Sequence, residues 1–168
     1  MNKLKLSKVI LKKINKIKLI LTDVDGVLTD AGMYYTESGD EFKKFNTRDG
    51  MGVKLLKEKG FMVGIVTTEN SSIVDRRAKK LNIDMVYKGV EDKRKVFKEI
   101  MKQYNLMENE IAYIGEDIND LDIVKLSGFS ATVSDGMDIV KKNVDYICKK
   151  KGGEGAFREF AELFLCLH

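Results

Sequence analysis

The stretch Leu19-Ile20-Leu21-Thr22-Asp23-Val24-Asp25-Gly26 is a short apolar run that ends in two aspartates and a glycine. Three further apolar runs, at residues 61–66, 85–87 and 111–114, also end in polar residues or glycine. Their apolar residues are continuous rather than alternating, which is typical of strands buried on both faces of a parallel sheet. Helix-period segments separate the runs, and this alternation predicts an α/β fold. We therefore expect a three-layer sandwich built on a parallel, Rossmann-like sheet.

One segment breaks the alternation of strands and helices. Residues 33–45 contain two aromatic-rich pieces around the turn sequence Ser38-Gly39-Asp40, which predicts a β-hairpin insertion after the first strand. An isolated hairpin is marginally stable in water, so we expect this one to pack against another subunit. The segments 29–51 and 67–93 are too short to hold a large cap, and no cap domain is expected.

The positive charge of the chain is concentrated at its N-terminus. The net charge is +4, yet residues 1–18 contain seven lysines and no acidic residue, which leaves the remainder net acidic. Apolar residues alternate with these lysines at three- and four-residue spacing, which predicts an amphipathic helix over residues 1–16 ahead of a domain over residues 17–168. This helix is expected to pack on its own domain or on a neighbouring subunit, with anchoring at a membrane surface as the alternative.

Composition excludes several classes of partner. A nucleic-acid enzyme would carry a basic stripe across its working domain, and this domain is net acidic. No apolar run approaches the roughly 18 residues of a membrane span. The two cysteines, Cys148 and Cys166, are isolated from each other and form no disulfide framework. These features predict no nucleic-acid partner, no membrane partner and a cytoplasmic location.

The polar residues at the predicted strand ends indicate a single site. Asp23 and Asp25 follow the first strand, Thr67 the second, and Glu116, Asp117 and Asp120 the fourth, while Lys93 opens the helix after the third. In an open parallel sheet, ligands bind beyond the carboxyl ends of the strands. Clustered carboxylates repel one another unless a cation holds them, and hard oxygen ligands suit Mg²⁺. The lysine and the threonine then supply hydrogen-bond donors for an anionic group such as phosphate.

These residues also match a known family pattern. The stretches Asp23-Val24-Asp25-Gly26-Val27-Leu28-Thr29-Asp30 and Gly115-Glu116-Asp117-Ile118-Asn119-Asp120, with Thr67 and Lys93, resemble the four motifs of the haloacid dehalogenase superfamily. The hairpin, residues 45–50 and the glycine-rich tail at residues 152–159 resemble its capless subfamily of sugar-acid phosphatases. That subfamily includes 3-deoxy-octulosonate 8-phosphate phosphatases and nonulosonate (KDN or sialic acid) 9-phosphate phosphatases. The likeness covers residues 17–164, nearly the whole chain.

The resemblance implies that residues 17–168 form a phosphatase domain that works through an aspartyl-phosphate intermediate. Asp23 would attack phosphorus. Asp25 would protonate the leaving sugar oxygen and then activate the water that hydrolyses the intermediate. Thr67 and Lys93 would hold the phosphoryl oxygens and stabilise the charge of the transition state.

The resemblance also implies a set of metal ligands for Mg²⁺. They are Asp23, Asp25, Glu116 and Asp117, and Asp120 would orient Lys93 or a metal-bound water. The subfamily usually has two aspartates after the glycine of the last motif, whereas this chain has Glu116 first. Either Glu116 binds the metal directly with an adjusted rotamer or a bridging water, or Asp117 is the ligand and Glu116 supports it.

The substrate prediction depends on residues around the phosphate site. The residues assigned to substrate binding are Arg48, Thr67, Thr68, Glu69, Arg77, Lys80 and Lys93. A glutamate at position 69 with Arg77 and Lys80 on the next helix resembles the nonulosonate enzymes, whereas Arg48-Asp49-Gly50 is more typical of the octulosonate enzymes. We expect a nonulosonate 9-phosphate. The alternatives are 3-deoxy-octulosonate 8-phosphate, used in lipopolysaccharide synthesis, and a solvated charge cluster without a role in binding.

Two further expectations concern assembly. Relatives of this kind form homotetramers in which the hairpin and the C-terminal tail of neighbouring subunits cover the active site. Some relatives fused to cytidylyltransferases have lost catalysis and act as oligomerisation modules. Intact Asp23, Asp25, Thr67 and Lys93 argue against that alternative, while Glu116 leaves it open.

Overall fold

The computed structural model describes residues 7–166. Its strands are β1 (Leu19–Thr22), β2 (Tyr34–Tyr35), β3 (Glu41–Phe42), β4 (Met62–Val66), β5 (Met85–Tyr87), β6 (Ile111–Ile114), β7 (Phe129–Thr132) and β8 (Tyr146–Ile147). Its helices are α1 (Lys8–Ile14), α2 (Thr47–Glu58), α3 (Ser72–Lys80), α4 (Lys93–Tyr104), α5 (Leu121–Leu126), α6 (Asp138–Lys141) and α7 (Ala156–Leu165). Short 3-10 turns at Glu108–Glu110 and Ile118–Asp120 precede β6 and α5.

Within this described part, six strands form one parallel sheet in the order β5-β4-β1-β6-β7-β8. Strand β1 is central, and Thr22 at its end pairs with Ile65 of β4 and Ile114 of β6. This register aligns the carboxyl ends of the three strands, so the residues that follow them meet at one edge. The sequence pattern predicts four of these strands. It misses β7 and β8 because Ser130 and Thr132 interrupt the apolar run of β7 and β8 has two residues.

Two separate clusters of buried apolar residues cover the two faces of the sheet. Successive side chains of a strand point to opposite faces, so Ile20 packs with residues of α2, α3 and α7, whereas Leu19 and Leu21 pack with residues of α4 and α5. Each cluster removes a helix face and a sheet face from water. The predicted three-layer α/β sandwich is confirmed.

The predicted hairpin is present as the antiparallel pair β2 and β3, in which Tyr34 faces Phe42. Its turn is closed by a bond from the Thr36 amide to the Asp40 carbonyl. Residues 23–46, all of them described, contain this hairpin and no further domain, as expected for a capless fold. The hairpin exposes four large apolar side chains: Met33, Tyr34, Tyr35 and Phe42.

The N-terminal helix packs on its own domain. Ser7 caps α1 by accepting a bond from the Ile10 amide, and Ile14 at the end of the helix is buried in the core. Lys13 Nζ lies 2.5 Å from a carboxylate oxygen of Asp145. Residues 1–6 lie outside the described residues, so the predicted helix over residues 1–16 and its boundary stay a prediction. No helix within residues 7–166 is both long and apolar enough to cross a membrane.

Candidate active site

Asp23 lies buried at the carboxyl end of β1. Its amide donates to the Ile114 carbonyl, which fixes it beside β6. One carboxylate oxygen accepts a bond of 2.7 Å from the Val24 amide, and the other lies 3.0 Å from Lys93 Nζ. Thr67 is buried at the corresponding end of β4. The structure thus brings together the predicted nucleophile and the lysine predicted to bind phosphate.

Lys93 is held by a buried network around Asp120. One carboxylate oxygen of Asp120 lies 2.5 Å from Lys93 Nζ and accepts a 2.5 Å bond from the Tyr113 hydroxyl. The other oxygen accepts bonds from the amides of Glu116 (2.7 Å) and Asp117 (3.2 Å). Asp120 therefore orients the lysine and fixes the loop that carries the acidic pair. The contribution of Tyr113 is missed from sequence, because the residue lies inside an apolar run and is typical of a core position.

Asp25 has a partner that the sequence analysis also misses. Its Oδ1 accepts bonds from Lys43 Nζ (2.9 Å) and from the Thr29 hydroxyl (3.2 Å). Lys43 comes from the segment after β3, and its Nζ also lies 3.5 Å from Glu41 and 3.8 Å from Glu69. Burial lowers the pKa of Lys43. The hydrogen bond to Asp25 and the charges of the three carboxylates together raise it by more, so the net shift is upward.

Burial alternates along the second hairpin strand and the residues that follow it. Glu41, Lys43 and Phe45 are partly buried, whereas Phe42 and Lys44 are exposed. This period of two places one side of the second hairpin strand against the domain. Lys43 therefore faces inward, and the sequence alone does not indicate it, because the apolar Phe42 beside it is exposed.

The carboxylates of the site suppress one another's ionisation. Burial, and then the charge of Asp120, raise the pKa of Asp23 to about 7 against the opposing effect of Lys93. Burial, and then the charges of Asp117 and other neighbouring carboxylates, raise the pKa of Glu116 to about 7. A cation among these groups would offset the repulsion and restore both charges at neutral pH.

The position of Glu116 shows whether the residues fit a metal ion. A Cβ on Gly26, which has a φ of +76°, would lie 2.6 Å from the carboxyl carbon of Glu116. The Glu116 carboxyl group therefore lies over the turn that follows Asp23. Asp117 instead accepts a 2.6 Å bond from the Ile118 amide and caps the 3-10 turn. These placements favour Glu116 over Asp117 as the direct ligand.

Within residues 7–166, no three acidic, histidine or cysteine side chains are close enough to hold a metal ion by themselves. Mg²⁺ usually binds through one or two carboxylates and keeps waters and substrate phosphate as its other ligands. Asp23 and Glu116, with the backbone carbonyl of Asp25, supply hard oxygens of the kind this ion prefers. The donor set fits Mg²⁺.

The residues assigned to the sugar are distributed over several surfaces. Thr68 is exposed at the end of β4, Glu69 is half-buried beside Lys43, and Lys80 is exposed at the end of α3. Arg77 donates a 2.9 Å bond to the Asn46 carbonyl and stacks over the Phe45 ring at 5.1 Å. Its guanidinium is therefore engaged at the start of α2. The cation that the structure places beside Glu69 is Lys43.

Arg48 lies in the first turn of α2. It is exposed and lines a cleft with Tyr146, Lys149, Lys150, Glu154, Gly155, Arg158 and Glu159. Substrate binding stays a prediction for all seven assigned residues: Arg48, Thr67, Thr68, Glu69, Arg77, Lys80 and Lys93.

The glycine-rich tail supports the catalytic turn of its own subunit. The Gly153 amide donates to the Val27 carbonyl, and the Gly152 amide donates to a carboxylate oxygen of Asp135. A Cβ on Gly152 would lie 2.0 Å from the Gly26 carbonyl oxygen. Glycine is required here because the two backbones approach closely.

Comparisons with known proteins agree with this geometry. The model of the haloacid dehalogenase-like hydrolase family matches residues 70–159. The 3-deoxy-D-manno-octulosonate 8-phosphate phosphatase KdsC of Haemophilus influenzae is 37% identical over 154 residues, which span 92% of this chain and 86% of that protein. The 3-deoxy-D-manno-octulosonate 8-phosphate phosphatase of Moraxella catarrhalis, solved in complex with magnesium, phosphate and KDO, superposes with a TM-score of 0.91 at 39% identity. That match covers 94% of this chain and 90% of the other.

A cobalt-bound deoxy-D-mannose-octulosonate 8-phosphate phosphatase of Haemophilus influenzae is also similar, with a TM-score of 0.88 at 37% identity. The match covers 92% of this chain and 90% of the Haemophilus influenzae chain. The chain belongs to the haloacid dehalogenase-like hydrolases. Within them it is a phosphoric monoester hydrolase similar to the KdsC phosphatases. Enzymes of this family use Mg²⁺, which confirms the predicted cofactor at the level of the family.

Proposed function

We propose that this protein hydrolyses 3-deoxy-octulosonate 8-phosphate to the free sugar acid and inorganic phosphate in a Mg²⁺-dependent reaction. The observation that carries the proposal is the likeness to the Moraxella catarrhalis phosphatase, which holds magnesium, phosphate and KDO and is 39% identical over 94% of this chain. The buried grouping of Asp23, Lys93 and Asp120 supports the phosphatase chemistry independently.

In the first step, a carboxylate oxygen of Asp23 forms a bond to phosphorus while the bond from phosphorus to the sugar oxygen breaks. Asp25 gives its proton to that leaving oxygen. Lys93 and the Thr67 hydroxyl donate to the phosphoryl oxygens and stabilise the charge that develops on them. Asp120 keeps the lysine aligned throughout.

In the second step, a water oxygen attacks the phosphorus of the aspartyl-phosphate. Asp25 accepts the proton of that water, and the bond from phosphorus to Asp23 breaks. Inorganic phosphate leaves, and both aspartates return to their starting states.

The proposed metal ligands are Asp23, the backbone carbonyl of Asp25 and Glu116, with Asp117 as the alternative to Glu116. Mg²⁺, when bound, neutralises the carboxylates and the substrate phosphate. This assignment uses the position of Glu116 over Gly26 and the raised pKa values of Asp23 and Glu116.

A nonulosonate 9-phosphate is the second candidate substrate, and Glu69 is the observation that favours it. Glu69 follows the strand that carries Thr67, and its carboxylate lies 3.8 Å from the buried Lys43. A glutamate fixed at the rim of the site is suited to accept hydrogen bonds from the additional hydroxyl groups of a longer sugar.

The two substrates are distinguished by kcat/KM of the purified protein on each, measured by phosphate release with Mg²⁺ present. We expect 3-deoxy-octulosonate 8-phosphate to be preferred by about tenfold or more, which is the discrimination that a few polar contacts supply. Glu69→Gln should change this ratio if Glu69 contacts the sugar, whereas Glu37→Gln, on the exposed hairpin turn, should leave it unchanged. A tenfold preference for the nonulosonate would overturn the substrate assignment and leave the phosphatase assignment intact.

The proposed assembly is a homotetramer in which the hairpins meet. The exposed side chains of Met33, Tyr34, Tyr35 and Phe42 form an apolar surface on one small element, which fits contact with other copies of the chain. We expect light scattering to give about four times the 19.1 kDa monomer mass. A stable and fully active monomer would contradict the assembly.

The proposed location is the cytoplasm. Cys148 is buried and Cys166 is exposed, and both are free thiols. Free thiols are expected in a reducing compartment.

A further inference from the structure

We infer that Lys43 is a positioning residue that fixes the direction of the Asp25 carboxyl group toward the leaving oxygen of the substrate. The inference rests on the proposed function only in that Asp25 acts as the general acid. Lys43 would add a residue of the hairpin to the active site. Efficient cleavage of poor leaving groups would then depend on how the hairpin packs.

The placement of Lys43 differs from that of a surface lysine. Its side chain is 1% exposed, although the hairpin that carries it exposes most of its other side chains. Burial of an ammonium group costs free energy unless carboxylates surround it. Asp25, Glu41 and Glu69 lie 2.9, 3.5 and 3.8 Å from its Nζ. These three contacts fix the ammonium group between the hairpin, β1 and β4.

The contact with Asp25 is directional. The Lys43 ammonium and the Thr29 hydroxyl both donate to Oδ1 of Asp25. Two donors on one oxygen fix the rotation of the carboxyl group, and therefore the direction in which Oδ2 points. We assign the transferred proton to Oδ2, because Oδ1 is occupied by these donors. Loss of Lys43 leaves Thr29 as the remaining side-chain donor of the pair and frees the carboxyl group to rotate.

A misaligned general acid affects substrates unequally. A sugar alkoxide is a poor leaving group, so the bond to phosphorus breaks efficiently only when a proton arrives at the oxygen. The p-nitrophenolate anion leaves without a proton. Because kcat/KM reports the steps up to departure of the leaving group, it separates this effect from the later attack of water.

Lys44 provides a matched control on the same segment. It is the next residue, its side chain is 62% exposed, and it pairs with Asp30 at 3.3 Å. Removal of its charge tests whether any lysine near the hairpin end has the same effect.

The experiment measures kcat/KM of the wild type, Lys43→Met, Lys43→Arg and Lys44→Met on 3-deoxy-octulosonate 8-phosphate and on p-nitrophenyl phosphate. We expect Lys43→Met to lose about a hundredfold on the sugar phosphate and no more than about threefold on the aryl phosphate. Lys43→Arg should recover part of the selective loss, and Lys44→Met should match the wild type on both substrates. Circular dichroism checks that each variant is folded.

Equal losses on the two substrates, or no loss on the sugar phosphate, would overturn the inference. If Lys43→Met does not fold, the ratio of the two losses in Lys43→Arg decides the question in the same way. If the wild type does not hydrolyse 3-deoxy-octulosonate 8-phosphate, the substrate proposal fails. The comparison with p-nitrophenyl phosphate then uses any alkyl phosphate that the wild type hydrolyses. Failure of the substrate proposal and failure of the Lys43 inference therefore remain distinguishable.

Discussion

Replacement of Asp23 by asparagine is expected to lower kcat by more than about a thousandfold, as loss of a nucleophile does in enzymes with covalent intermediates. The amide cannot attack phosphorus, so no aspartyl-phosphate forms. Asparagine has nearly the same shape, and its carbonyl oxygen can still accept the bond from the Val24 amide. The fold should therefore survive, and phosphate release at saturating substrate measures the loss.

A matched control is available for this substitution. Asp84→Asn removes a carboxylate from an exposed position between α3 and β5 and should retain wild-type activity. A folded Asp23→Asn protein with kcat within about tenfold of the wild type would contradict the nucleophile assignment, because that loss is too small for removal of a covalent step.

Removal of the divalent cation is expected to stop turnover. Chelation with EDTA leaves Asp23 and Glu116 with raised pKa values and no cation to offset their repulsion. Added Mg²⁺ should restore phosphate release, whereas added Na⁺ at equal ionic strength should not. Full activity after exhaustive chelation would rule out the metal assignment.

The same electrostatics predict how Mg²⁺ stabilises the fold. The pKa values of Asp23 and Glu116 are raised in the folded state, so their contribution to stability is present at low pH and lost as pH rises through about 7. Protons compete with Mg²⁺ for these oxygens. The rise in Tm on adding Mg²⁺ should therefore be larger near pH 8 than near pH 5, by at least the roughly 2–4 °C that 1 kcal/mol represents in a protein of this size. An equal rise at both pH values would contradict the assigned ligands.

The parts of the site that sequence predicts are those carried by strand ends. Asp23, Thr67 and the Glu116-Asp117 pair each follow an apolar run, and parallel pairing of β1, β4 and β6 aligns the ends of these runs. The local sequence pattern is sufficient to predict the positions of these residues, because each one is placed by the end of its own strand. Lys93 is likewise predicted from its local position, at the start of α4.

The parts that sequence does not predict depend on tertiary packing. The bond from Lys43 to Asp25 joins residues 18 positions apart and exists because the hairpin folds back over β1. Arg77 is assigned to the substrate by resemblance, and the pattern does not predict that its guanidinium reaches the start of α2. The ring of Tyr113 lies in the core, and its hydroxyl donates to Asp120 in the active-site network. The apolar pattern predicts the buried ring but not the bond of the hydroxyl.

The most direct test of the proposed function is the initial rate of phosphate release from 3-deoxy-octulosonate 8-phosphate by the purified protein with Mg²⁺. We expect kcat/KM of at least about 10⁴ M⁻¹s⁻¹, within the usual range for an enzyme acting on its own substrate. This value should exceed the kcat/KM for p-nitrophenyl phosphate, which offers no sugar contacts. Absence of phosphate release from the sugar acid phosphate, with the aryl phosphate hydrolysed under the same conditions, would contradict the proposed function.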